Sequence, residues 1–110
     1  MARMQVYRPQ TRLLSGADTE SLAAWTDRSL CQGARAIAVD MKDIMFIDSQ
    51  GLGLLLSAQK RVQQSGGVFV LCGVQEQAQM VFNLTNTGQL FTVYDSVEAF
   101  ENSLVQSAKS

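Results

Sequence analysis

The sequence holds no histidine, one proline, two cysteines and no long hydrophobic run. Without histidine, the side chain that titrates near neutral pH and the commonest metal ligand are both missing. A Ser-His-Asp or Cys-His nucleophile cannot be assembled. Cys31 and Cys72 form no CxxC pair, so a closed zinc site would need carboxylate ligands. The most apolar stretches, Leu52–Leu56 and Val68–Val74, fall far short of the roughly 20 residues that span a bilayer. The N-terminal MARMQVYRPQTRLLSG lacks a signal-peptide apolar core. A cytoplasmic protein with reduced cysteines and no membrane insertion is therefore expected, and Cys72 inside VFVLCGV reads as a small buried hydrophobe. Nine Lys and Arg against ten Asp and Glu give a net charge of −1, which leaves no electrostatic footprint for nucleic acid. The absences point away from an enzyme, a cofactor or a metal, and toward a protein-interaction module.

What remains is sufficient for one domain. The chain has 110 residues, 46% of them hydrophobic. At that length roughly 65% of the unfolded surface can be buried, so residues 1–110 are expected to form a single domain with its own core.

Strand and helix signals alternate. Met4–Tyr7 and Thr11–Leu14 read as short strands around Pro9. Asp18 or Thr19 can cap a helix to about Gln32, with Leu22, Trp25, Ser29 and Leu30 on one face and Gly33 ending it. Ala36–Asp40 is an apolar run too short for a helix, and Lys42–Ile47 is a loop with a brief strand in which Ile44, Phe46 and Ile47 are expected in the core. Leu52, Leu55, Leu56, Gln59 and Val62 recur at helical spacing up to Gly66-Gly67, and Val68–Cys72 is the clearest strand. Gln75–Leu84 is a short amphipathic helix, Phe91–Tyr94 a last strand, and Asp95 with Glu98 three residues later forms a capping box for the final helix. This order implies an α/β fold with a small, mostly parallel sheet of four to five strands and about four helices.

Between two of these elements stands Ile44–Gly53, IMFIDSQGLG. Together with Val39-Asp40-Met41, Gly66-Gly67, Leu84–Gly88 and Asp95-Ser96-Val97, it resembles the STAS domain family of bacterial anti-sigma factor antagonists, over about residues 36–100. The resemblance implies that Ser49, directly after Asp48, is a phosphoacceptor. It implies a partner that is both anti-sigma factor and serine kinase, with binding lost on phosphorylation and restored by a PP2C-type phosphatase. It also implies a partner surface over Asp48, Ser49, Gln50, Gly51, Leu52 and Gly53, flanked by Met45, on a monomer or weak dimer. Gln50 stands where the family often has a second small hydroxyl residue. In the first loop, a match through Arg12-Leu13 puts Thr11 and Leu14 at the Gly and Asp of the family's G-x-L-D, and a match to Gly16 and Asp18 instead needs a gap.

The local chemistry agrees with such a switch. Asp48 and Ser49 both suit a helix N-cap, and a helix start tolerates an anion. Phosphate would add roughly −1.5 to −2 charge beside Asp48. Gly51 and Gly53 are expected to leave room for another backbone. The alternative is a constitutive STAS subunit, for example of a lipid-transport assembly, without a kinase cycle.

Overall fold

The structure, a computed structural model, describes residues 4–16 and 19–109. Its elements are β1 (Met4–Tyr7), β2 (Leu13–Leu14), α1 (Thr19–Cys31), β3 (Ala36–Asp40), β4 (Phe46–Ile47), α2 (Ser49–Gln64), β5 (Val68–Cys72), α3 (Glu76–Leu84), a 3-10 turn (Gly88–Leu90), β6 (Thr92–Tyr94) and α4 (Val97–Lys109). Asp18, one of the two expected caps of α1, lies outside the described residues.

β1, β3, β5 and β6 form one sheet in that spatial order, and every neighbouring pair is parallel. Each new strand joins the same side of the sheet. Right-handed crossovers then put α1, α2 and α3 on one face. The side chains record this. Ile37, Val39, Phe69 and Leu71 point into a core shared with Leu22, Leu55, Val62, Ala78 and Phe82. The alternate residues Ala36, Ala38, Val70 and Cys72 point the other way, onto Phe100, Val97 and Leu104 of α4. Both faces are covered, which is why β3 and β5 are apolar almost throughout. Trp25 packs at the margin of the larger core, its ring 5.2 Å from that of Tyr7. Gly66, at φ +83°, turns the chain out of α2 in a conformation that costs a residue with a Cβ.

β2 and β4 form a separate parallel ladder, Leu13 opposite Phe46 and Leu14 opposite Ile47. Only half of it faces inward. Leu14 and Ile47 are buried, while Leu13 is 45% and Phe46 61% exposed. The expectation of a core Phe46 is thus corrected: within β4, Ile47 points inward, so strand alternation turns Phe46 outward. The expected strand over Thr11–Leu14 contracts to Leu13–Leu14, because the Thr11 hydroxyl closes a local turn, accepting from the Leu13 N–H at 3.3 Å and donating to its carbonyl at 3.1 Å. At α4, Ser96 rather than Asp95 is the cap, its Oγ accepting the Ala99 N–H at 3.0 Å; Glu98 therefore sits one position too early to close a capping box.

Candidate functional site

The junction between β4 and α2 is fixed from three sides through Asp48. Its N–H donates to the Leu14 carbonyl at 3.2 Å, its carbonyl accepts the Leu52 N–H at 2.9 Å, and its Oδ1 accepts the Gly51 N–H at 2.7 Å. The last bond makes Asp48 the N-cap of α2. Its own backbone is extended, and the next residue, Ser49, begins the helix. Ser49 is exposed, and its hydroxyl has no hydrogen bond among the described residues. The first turn of α2 holds no acidic residue, so Asp48 alone answers the partial positive charge of the helix start.

The rest of the segment divides by orientation. Gln50 and Gly53 are exposed; Gly51 and Leu52 are buried. Gly51 does admit another backbone, but that backbone is the chain's own: a Cβ there would lie 2.1 Å from the Leu14 carbonyl oxygen. Gly53 has nothing within 4 Å of where a Cβ would stand, and the surface beside it is open. The Gln50 side chain lies across Gly16, so a Cβ on Gly16 would meet Gln50 Oε1 at 2.1 Å. Leu54 is buried, and Met45 is half-buried with its N–H on the Arg12 carbonyl at 2.8 Å.

Leu13 and Phe46 complete the site and were missed in the sequence. They stand side by side at the surface immediately before the Asp48 junction. The signal for them was the alternation of two strands only two residues long. On the same side, Gln10, Thr11, Arg12, Lys42, Asp43 and Met45 line an open cleft of about 530 Å³. Leu14 is fully buried and offers no side chain to a partner.

Elsewhere the chemistry is closed. Asp40 is held by the Arg8 guanidinium at 3.5 Å and the Lys42 N–H at 3.2 Å. Cys72 is buried in the α4 core, where loss of solvation, and then the charge of Asp40, push its thiol up to about 11, so it is no nucleophile near neutral pH. Ser57 and Lys60 lie mid-helix in α2, away from its N-terminus. Among the described residues no three acidic or cysteine side chains gather as a metal site, and no helix is long and apolar enough to cross a membrane.

The model of the STAS domain matches residues 5–100. The chain therefore belongs to the STAS domain family. A Thermotoga maritima protein named as an anti-sigma factor antagonist is 34% identical over 76 residues, covering 68% of this chain and 67% of that one. The crystal structure of a Thermotoga maritima protein so named superposes with a TM-score of 0.73 at 29% identity, covering 88% of this chain and 86% of that one. The fold is also that of the unphosphorylated anti-sigma factor antagonist SpoIIAA, with a TM-score of 0.74 at 20% identity over 94% of this chain and 90% of that one.

Proposed function

We propose that this protein is a partner-switching regulator of the anti-sigma factor antagonist type, acting without catalysis of its own. The observation that carries the reading is an exposed serine with a free hydroxyl at the first position of α2, beside the exposed Leu13–Phe46 pair. An anti-sigma factor with serine kinase activity docks on Phe46, Leu13, Met45 and the outward residues Asp48, Ser49, Gln50 and Gly53. Phe46 and Leu13 supply the apolar centre that a protein interface needs, and the charged and polar groups supply its rim. Gly51 and Leu52 act from behind, by holding the start of the helix in place.

Phosphorylation forms a bond between Ser49 Oγ and the γ-phosphorus of ATP. The bond to the ADP oxygen breaks, and the hydroxyl proton leaves to a base of the kinase, since this chain has no histidine to receive it. The phosphate then stands next to Asp48 in the middle of the docking surface. Charge placed against a partner of like charge costs several kcal/mol, and each ~1.4 kcal/mol is tenfold in affinity. Binding can be lost without refolding. A phosphatase of the PP2C type restores the hydroxyl.

The test is to incubate the protein with the anti-sigma kinase and ATP, and to map phosphate by mass spectrometry. Phosphate is expected on Ser49 alone, and Ser49→Glu is expected to weaken partner binding at least roughly tenfold. Modification elsewhere, or full binding by Ser49→Glu, overturns the reading. Phe46→Ala is expected to weaken binding by about 1–2 kcal/mol while leaving thermal stability unchanged, as for an anchor lying outside the core.

A further inference from the structure

The cations of this chain divide by whether the fold uses them. Arg8 pairs with Asp40 and Arg61 with Asp27. Arg35 donates to the Ala34 carbonyl at 3.2 Å, and Arg28 stands in the last turn of α1, where a cation answers the negative end of the helix. Arg12 and Lys42 are exposed, and among the described residues their side chains make no ion pair and no hydrogen bond. Their backbones are nonetheless fixed. The Arg12 carbonyl accepts the Met45 and Phe46 N–H groups at 2.8 and 3.0 Å. The Lys42 N–H donates to Asp40 Oδ1 at 3.2 Å, and the Lys42 carbonyl accepts Gln75 Nε2 at 2.6 Å. The two cations come from different loops and line one open cleft of about 530 Å³, together with Asp43 and Met45. The exposed pair Leu13 and Phe46 follows directly in the chain on both sides of the β2–β4 ladder.

We infer, resting on the partner-switching reading above, that the partner docks through an acidic segment: a carboxylate enters this cleft between Arg12 and Lys42, and an apolar residue beside it covers Leu13 and Phe46. The guanidinium offers a planar fork that pairs a carboxylate through two hydrogen bonds, and the ammonium adds a mobile point charge. Fixed backbone under both means that docking orders side chains and not loops. The charges of Arg12, Lys42 and Asp43 leave the cleft one unit positive, so a single incoming carboxylate neutralises it, whereas a basic residue would meet two cations. The sign of the charge also completes the switch. Met45 and Ser49 are four residues apart, so their Cα atoms lie within about 14 Å and one docked segment spans both. Phosphate on Ser49 then faces a partner that is itself acidic, which is the like-charge contact that loss of binding requires.

Binding of the anti-sigma kinase to charge variants of the whole chain tests this. Arg12→Glu is expected to raise the dissociation constant at least roughly tenfold, with melting temperature unchanged. Asp43→Asn, which removes the one negative charge of the cleft, is expected to tighten binding. Lys60→Glu makes the same charge change as Arg12→Glu on α2, outside the cleft, and is expected to bind like the parent. Undiminished binding by Arg12→Glu, or an equal loss in Lys60→Glu, overturns the proposal and leaves the phosphoserine switch, tested by Ser49→Glu, intact. A second arm needs no kinase. Titrating the protein with hexaglutamate is expected to shift the amide NMR signals of Thr11–Leu13 and Lys42–Phe46, an effect lost in Arg12→Glu and not produced by hexalysine. Shifts as large around Arg28 and Arg35, or none at the cleft, overturn the proposal. A kinase that fails to bind the parent overturns the switch, and the hexaglutamate shifts then decide the cleft by themselves.

Discussion

Two glycines two residues apart in α2 do different work, and single substitutions separate them. A methyl group on Gly51 would run into the Leu14 carbonyl oxygen, which is backbone of β2 and has no rotamer to yield. Overpacking of this kind costs about 1–3 kcal/mol, and Gly51→Ala is expected at or beyond the upper end in urea unfolding. Gly53 lies in the same helix with open space around it, so Gly53→Ala gains helix propensity and is expected to stabilise by about 0.5–1 kcal/mol. Equal effects from both would show that the α2 start does not press on β2. A third residue carries a cost of its own. Thr26 of α1 is fully buried, and its Oγ1 has no hydrogen-bond partner among the described residues. Replacing that hydroxyl with a methyl removes an unsatisfied group at nearly constant shape, so Thr26→Val is expected to stabilise by about 1 kcal/mol, read by the same unfolding curves.

At the scale of elements, how much could be read in advance depended on length. β3 and β5 are runs of five residues with helices on both sides, and their boundaries were legible from apolar content and flanking glycines alone. α2 was legible because Leu52, Leu55 and Val62 keep helical register over eleven residues, but the pattern left its cap open between Asp48 and Ser49, which the backbone settles for Asp48. β2 and β4 were not, because two residues hold too little pattern to show which side faces in; Phe46 was assigned inward on hydrophobicity, and its outward turn is set by the ladder with Leu13, a partner thirty-odd positions away in sequence. The α4 cap failed for a different reason. Asp95 and Ser96 are both good caps, and only the backbone decides which side chain reaches back to the N3 amide. Ser96→Ala is expected to cost about 1 kcal/mol, whereas Asp95→Ala should stay within about 0.5 kcal/mol of the parent. The reverse order would restore Asp95 as the cap.

For the whole molecule, the asymmetry of the two cores matters most. The face under α1, α2 and α3 is filled with leucine, isoleucine and phenylalanine, while the face under α4 offers Ala36, Ala38, Val70 and Cys72. Small side chains let a single helix lie close and cover that face with Phe100, whose ring lies tilted 5.1 Å from that of Tyr94. The consequence is that Cys72 has no solvent, and the nearby carboxylate of Asp40 further opposes its ionisation. Unfolded, the thiol ionises around 9.0; folded, it keeps its proton to about 11. Between those values the native state holds one more proton than the unfolded chain, so stability falls as pH rises, by at most about 1.4 kcal/mol per pH unit, and the contribution is fully present below pH 9. The difference between parent and Cys72→Ala isolates the thiol: the variant, less stable at pH 7 through the lost packing, is expected to close that gap progressively from pH 9 to 11 in urea titrations. A gap that stays constant across the window would mean that the α4 face opens to water, and that the helix does not seal the second core.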